Sequence, residues 1–227
     1  MAGFFIAGTN TEVGKTHVAA MIARELADAG CRVGVYKPVA SGCRREASGL
    51  VAEDAELLWQ AAGKPGEFAR VCPQCFELPV APPQAAKAAG QRVDPALLRF
   101  GIEYWRDRSE VVLVEGAGGL MSPLSEDDYN RGLAKEFGYP LVIVAANELG
   151  TINATLQTVI TAQTKAPELP IAGIVLNQPT SKRDDSLATN AEEIARRSDV
   201  PLLGQVEFQA TAFSRKIAWR ELAGEVT

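Results

Sequence analysis

The densest chemistry in the chain lies in Gly8-Thr9-Asn10-Thr11-Glu12-Val13-Gly14-Lys15-Thr16, between an apolar stretch at 4–7 and a helix-forming one. Strand, glycine-bearing loop, Gly-Lys-Thr and helix start are the context of a phosphate cradle. In such a loop, backbone N–H groups and the helix N-terminus hold phosphate oxygens. A lysine at Lys15 reaches the outer phosphates, and a hydroxyl at Thr16 meets Mg²⁺. Five residues rather than four separate Gly8 from Gly14, so Thr9 takes the place of the first glycine of the usual pattern. The plain alternative, a glycine-bearing turn with a chance Gly-Lys-Thr, is disfavoured by the strand and helix around it. Val13 to His17 are therefore placed against the nucleotide, and Lys15 is expected to face solvent at the loop. His17, directly after the loop, is expected to pack or cap rather than to move protons.

Further groups stand where strands should end. Lys37 follows the apolar run 33–36 and precedes Pro38-Val39-Ala40-Ser41-Gly42. It is either an exposed strand-end lysine or a second positive charge over a transferring phosphoryl group. Glu115 closes the run 111–114 and opens Gly116-Ala117-Gly118-Gly119, the place of a magnesium-side acid in P-loop proteins; a charge that merely guards a strand end is the alternative. Asp54, or its neighbour Glu53, supplies a second acid at a helix start. Cys72 and Cys75 form one CxxC with no second pair, and with His17 the single histidine no zinc site can be completed, so the pair is set aside.

These residues need elements to hold them. Apolar, β-rich runs recur at 4–7, 33–36, 111–114, 141–145, 171–176 and 202–206. Helical patterns lie at 15–29, 52–62, 94–108, 152–165 and 187–198. Strands alternating with helices predict an α/β fold, a mostly parallel sheet with helices on both faces. The Pro- and Ala-rich stretch 71–89 interrupts the alternation and is placed as an excursion. With 227 residues, 47% of them hydrophobic, the chain suits one domain over 1–227. A net charge of −5 gives no nucleic-acid footprint. No apolar run approaches the roughly 20 residues of a membrane helix, and the start lacks the pattern of a signal peptide. Four cysteines are too few for a disulfide scaffold, which points to a reducing cytoplasm.

Together, Gly8 to Thr16, Lys37 to Gly42, Val114-Glu115-Gly116-Ala117-Gly118-Gly119 and Leu149-Gly150-Thr151-Ile152-Asn153 resemble the dethiobiotin synthetase family over nearly the whole chain, in the family's order and with its longer P-loop. The resemblance implies an ATP- and Mg²⁺-dependent cyclo-ligase that takes 7,8-diaminononanoate and CO₂ and closes the cyclic urea of dethiobiotin. It further implies a homodimer. Carried over by position, Lys15 and Thr16 match phosphate and magnesium residues, Asp54 and Glu115 the other metal-side carboxylates, and Lys37 the lysine that meets carbamate and phosphoryl charge. Thr11 and Ser41 match positions near the diamine or its carbamate, and Glu12 the nucleotide side of the loop. Gly150, Thr151, Ile152 and Asn153 match a helix start that receives the substrate carboxylate from the neighbouring subunit. Asn177 matches a reader of the adenine edge.

The chain departs from the family at Val206-Glu207-Phe208, where a proline is usual near the base, and at Pro83, where a histidine often follows Ala-Pro. Two rivals share the scaffold. Partition-type switch ATPases carry a second P-loop lysine where Asn10 stands and end the metal strand in Asp. Glutamine-dependent amide synthetases require a nucleophilic Cys and a His in a partner domain, and the one histidine here is already in the P-loop.

Overall fold

In the computed structural model, which describes residues 2–47, 49–182 and 184–224, the six apolar runs become one sheet. Its strands are β1 (Ala2–Gly8), β2 (Val33–Tyr36) and, after an outlying hairpin of β3 (Arg44–Glu46) and β4 (Gly49–Val51), β5 (Val111–Gly119), β6 (Leu141–Ala146), β7 (Ile171–Asn177) and β8 (Leu202–Val206). The order is β2-β5-β1-β6-β7-β8, with every neighbouring pair parallel. β1 and β6 are buried along their whole length. That is why their sequences run apolar without alternation: both faces of a parallel sheet must be covered.

The cover comes from helices α1 (Lys15–Asp28), α2 (Glu53–Ala61), α3 (Pro82–Ala88), α4 (Pro95–Phe100), α5 (Glu103–Arg106), α6 (Asn130–Phe137), α7 (Thr151–Lys165), α8 (Asn190–Arg197) and α9 (Trp219–Leu222). α1 buries Val18, Ile22 and Leu26, a stripe at helical spacing. α4 is capped by Asp94, whose carboxylate accepts from the N–H groups of Ala96 and Leu97, with Pro95 at the first helical position.

The chain leaves β1 for the β2 edge, returns through β5 between them, and then crosses to β6 on the far side of β1. The winding reverses at β1. Ligands of open α/β sheets bind at such a switch point, outside the carboxyl ends of the strands. The loops after β1, β2 and β5 all open there.

Local departures from the sequence reading have physical causes. The helix expected over 94–108 breaks at Gly101, where the Tyr36 hydroxyl donates to the Leu97 carbonyl at 2.5 Å. A Cβ at Gly101 would lie 2.4 Å from that hydroxyl oxygen, so the ring wedges between α4 and α5. The helix expected over 187–198 opens with a separate 3₁₀ turn, Asp185–Ala188. The β3–β4 hairpin went unseen because Arg44, Arg45 and Glu46 are all exposed and carry no apolar alternation. α6 was unassigned too, being short and mostly polar.

Candidate active site

The loop from Thr9 to Gly14 wraps the end of β1 and passes into α1 through a left-handed Gly14, φ 88°. A Cβ there would sit 2.0 Å from Asn177 Nδ2, so only glycine fits on two counts. Asn177, at the end of β7 and 2% exposed, donates from Nδ2 to the Val13 carbonyl at 3.0 Å. Its Oδ1 is buried without a hydrogen-bond partner. A residue distant in sequence thereby pins the turn that presents the α1 amides.

Lys15 corrects the expectation of a solvent-facing lysine: it is 7% exposed. Its Nζ folds back under the loop to donate to the Asn10 carbonyl at 3.1 Å. It packs above Gly8, whose added Cβ would lie 3.1 Å from Nζ. Burial draws its pKa below the ordinary lysine value, with Glu115 opposing that shift and Lys37 adding to it.

Lys37 is the centre of the cluster. It is 3% exposed, which removes the exposed strand-end reading. Its Nζ lies 2.6 Å from Glu115 Oε1 and 2.9 Å from Asp54 Oδ2. Burial alone would lower its pKa, but the two carboxylates outweigh it and hold the ammonium well above the ordinary range. Lys37 accordingly stays charged at neutral pH. Asp54 is drawn below the usual carboxylate value chiefly by Lys37. Burial pushes Glu115 upward against the pull of Lys37. Glu53, the alternative acid, pairs instead with Arg44 outside the cluster. The buried Lys15, Lys37 and Glu115 and the half-exposed Asp54 thus form a set of two lysines and two carboxyl groups at the mouth of the P-loop.

Thr16 donates its hydroxyl to Glu115 Oε1 at 2.9 Å, while Glu115 Oε2 is buried with no hydrogen-bond partner. Thr16, Asp54 and Glu115 therefore offer hard oxygen donors on one side of the loop. Among the described residues, no group of three or more His, Cys, Asp or Glu could hold a metal ion. Any cation here would draw its remaining ligands from phosphate and water, as Mg²⁺ does. His17 also leaves Nε2 buried and unpartnered.

Two structural supports escaped the sequence reading. Asn130, fully buried at the start of α6, donates from Nδ2 to the carbonyls of Ala117 (2.6 Å) and Gly119 (2.7 Å) and accepts at Oδ1 from Ala117 N–H (3.2 Å). The Ser122 hydroxyl accepts from Gly119 N–H at 2.9 Å. Between them they fix the glycine run after Glu115, including Gly118 at φ 75°. A lone Asn before a short helix gives no signal of this in sequence.

Thr11, Glu12 and Ser41 meet in a cleft of about 380 Å³, with Pro79, Val80 and Pro82 from the excursion as an apolar wall and Gly118, Ser122 and Pro123 opposite. Glu12 therefore shares the cleft of Thr11 and Ser41. The excursion itself is ordered by the loop after β2. Lys37 N–H donates to Val71 O, Ala40 N–H to Gln74 O, Phe76 N–H to Ala40 O and Cys43 N–H to Phe76 O, at 2.7 to 2.9 Å. Gly150, Thr151, Ile152 and Asn153 begin α7 after β6 and do not line that cleft. Gly150 and Asn153 are exposed, and Thr151 is buried with its hydroxyl unpartnered.

Known proteins resemble this chain in sequence. The AAA domain family matches residues 2–212. The chain is 42% identical over 214 residues to the ATP-dependent dethiobiotin synthetase BioD of Rhodopirellula baltica, covering 89% of this chain and 83% of that one. It is 38% identical over 219 residues to the protein of the same name from Bacillus cereus, covering 95% and 87%. Of solved structures, the signal recognition particle receptor FtsY of Elizabethkingia anophelis superposes at a TM-score of 0.49 with 12% identity, over 98% of this chain and 64% of that chain.

Proposed function

The chain belongs to the ATP-dependent dethiobiotin synthetase family and is an ATP-dependent ligase, and on that premise we propose that its buried lysine and carboxylate cluster phosphorylates a carbamate made from 7,8-diaminononanoate and CO₂. The observation that carries this reading is Lys37 held charged between Asp54 and Glu115, beside Lys15. A carbamate is a poor electrophile. Transfer of the γ-phosphoryl group of ATP to its oxygen, with ADP leaving, makes a carbamic-phosphoric anhydride, which the second amine attacks to close the cyclic urea as phosphate leaves. Such a transfer needs placement and charge stabilisation more than a protonating histidine.

In this reading the amides of Val13 and Gly14, with Lys15, hold the phosphates of ATP, and Glu12 and His17 flank them. Lys37 meets the charge that grows on carbamate and phosphoryl oxygens as the bond forms. Thr16, Asp54 and Glu115 would hold Mg²⁺, a fit supported by their all-oxygen donors and by the unpartnered Glu115 Oε2. Bound there, Mg²⁺ would neutralise phosphate charge. Asn177, its Nδ2 already used by Val13, offers an open acceptor for the amino group of adenine. Thr11 and Ser41 place the carbamate end of the diamine, and the wall of Pro79 and Val80 suits its alkyl chain.

The site is completed by a second copy of the chain, whose Gly150, Thr151, Ile152 and Asn153 would receive the substrate carboxylate on free helix amides. The exposure of Leu149 and Ile160 around α7, at 83% and 57%, supports a covered face there. No helix among the described residues is long and apolar enough to cross a membrane. We place the protein in the cytoplasm, whose reducing conditions keep its cysteines as thiols at rest. The test is direct: purified protein with ATP, Mg²⁺, bicarbonate and 7,8-diaminononanoate should yield a cyclic urea by mass spectrometry. Hydrolysis of ATP without that product would reject the proposal.

A further inference from the structure

The CxxC pair is not isolated in space. Cys43, from the loop after β2, lies beside Cys72 and Cys75 of the irregular stretch 71–76, where Ala40 and Cys75 form an isolated parallel bridge. Cys75 Sγ donates to Cys72 Sγ at 3.7 Å and to the Cys72 carbonyl at 3.6 Å. Cys72 and Cys75 are half-buried, and Cys43 is buried. All three thiols are free.

The cluster is tied to the site through backbone. The carbonyls of Val71 and Gln74 accept from the N–H groups of Lys37 and Ala40, and Gln74 also bonds Pro38 O and both backbone groups of Asp94. Whatever moves residues 71–76 therefore moves the loop that carries Lys37 and Ser41. We propose that Cys72 and Cys75 form a reversible disulfide that displaces this loop and slows the enzyme.

The chemistry is thiol–disulfide exchange with a low-molecular-weight disulfide such as oxidised glutathione. The half-buried Cys72, as thiolate, attacks one sulfur of the small disulfide. That S–S bond breaks and one half leaves as a thiolate. Cys75 then loses its proton to solvent and its sulfur attacks Cys72 Sγ, expelling the second half. Two protein thiols are oxidised and one small disulfide is reduced to two thiols. The order of attack follows from position: Cys75 holds its proton against Cys72 Sγ, so the first attack falls to Cys72. A hydrogen bond with Cys43 draws the Cys75 thiol down, but its bond to Cys72 and its burial outweigh that and push it up to about 12. The Cys43 thiol is raised, first by its bond with Cys75 and then by burial. Cys75 donates to Cys72 Sγ, the Cys72 thiol in turn donates to the Gln74 carbonyl at 3.5 Å, and Cys43 is the least accessible of the three.

Closing the bond brings the sulfurs from 3.7 Å to about 2.0 Å. The stretch 71–76 absorbs part of that movement. A shift of about an ångström at Lys37 is enough to cost a large factor in rate, up to ~100-fold.

The test treats the folded, full-length protein with excess oxidised glutathione and maps its peptides without reduction. The expected product is a Cys72–Cys75 disulfide that dithiothreitol reverses. Cys43→Ser should still form it, and Cys75→Ser should stop at a glutathione adduct on Cys72. Amide exchange at Lys37 and Ala40 should quicken on oxidation, and cyclic-urea formation should fall roughly tenfold. The rate readout rests on the proposed function, whereas mapping and amide exchange do not, so failure of the activity assay in reduced protein points to that reading alone. No disulfide, or one mapped to Cys43–Cys75, overturns the proposal. So does a Cys72–Cys75 bond that leaves amide exchange and rate unchanged.

Discussion

The side of the site proposed to hold the nucleotide and the side proposed to hold the acceptor are built on opposite plans. Lys15, Lys37 and Glu115, on the side proposed for the nucleotide, are each under 10% exposed and lie in the first turn of α1, directly after β2 and within β5. Their positions are set before any substrate arrives, and the low dielectric around them strengthens each pairing. On the acceptor side, Thr11 and Ser41 line an open cleft walled by prolines of an irregular segment and by a glycine run that Asn130 must hold in place. The contrast teaches where rigidity serves function. Charge stabilisation demands preorganised, desolvated groups, whereas admitting and releasing a flexible diamine demands an open wall.

The largest break in this comparison is expected from Lys15→Ala. Product formation should fall by ~100- to 1000-fold while the protein still folds, with some loss of thermal stability because Lys15 is buried and donates to the Asn10 carbonyl. An active Lys15→Ala enzyme would remove the P-loop from the mechanism. Lys37→Gln should lower kcat by about 100-fold while ATP affinity changes little, since the charge it meets develops in the transition state. It also leaves Glu115 buried without its ionic partner, which destabilises the fold by a few kcal/mol. A loss confined to ATP binding would make Lys37 a nucleotide anchor.

The acceptor side is sharpened by mixing subunits. If Lys37→Gln and Asn153→Ala are each nearly inactive, a hybrid dimer with shared sites holds one site with both lesions and one with neither. Random mixing makes about half the dimers hybrid, so roughly a quarter of wild-type activity should return. Activity that stays at the mutant background would place both residues in one chain's site.

The smallest effect belongs outside both regions. Asp128 accepts from Arg99 at 2.6 Å, and that guanidinium, aided by Ser125, holds its carboxyl below the ordinary range despite partial burial. The unfolded chain therefore binds the proton more readily, and the pair stabilises the fold above about pH 5, a contribution lost as pH falls through the folded value. Asp128→Asn should cost about 1 kcal/mol at neutral pH, a gap that closes on acidification, with kcat unchanged. Thermal melts of the two proteins across pH 3 to 7 check this, and a gap independent of pH would remove the ionic account.

The same division decides what could be read from sequence. The six apolar runs predict the sheet because strands buried on both faces leave an unbroken apolar signal, and Val33–Tyr36 and Leu202–Val206 fall where expected. The Gly-Lys-Thr, Lys37 and Glu115 are legible because strand ends and helix starts are local signals. What sequence could not place is built by distant side chains meeting backbone. Asn177 bonds Val13 across 164 residues, and Asn130 bonds the glycine run. Gln74 knots Pro38 to Asp94, turning a Pro- and Ala-rich excursion into a site wall. The burial of Lys15 was missed for the same reason, since it depends on how the loop closes over Nζ.

The account centres on transfer of a phosphoryl group to the carbamate oxygen. The measurement that meets this most directly is a single turnover with heavy-oxygen-labelled bicarbonate, ATP and 7,8-diaminononanoate, followed by mass analysis of the phosphate released. The account predicts one heavy oxygen carried from the carbamate into that phosphate, in step with the cyclic urea. Phosphate that carries only the oxygens of ATP and solvent, while the cyclic urea still forms, would contradict it.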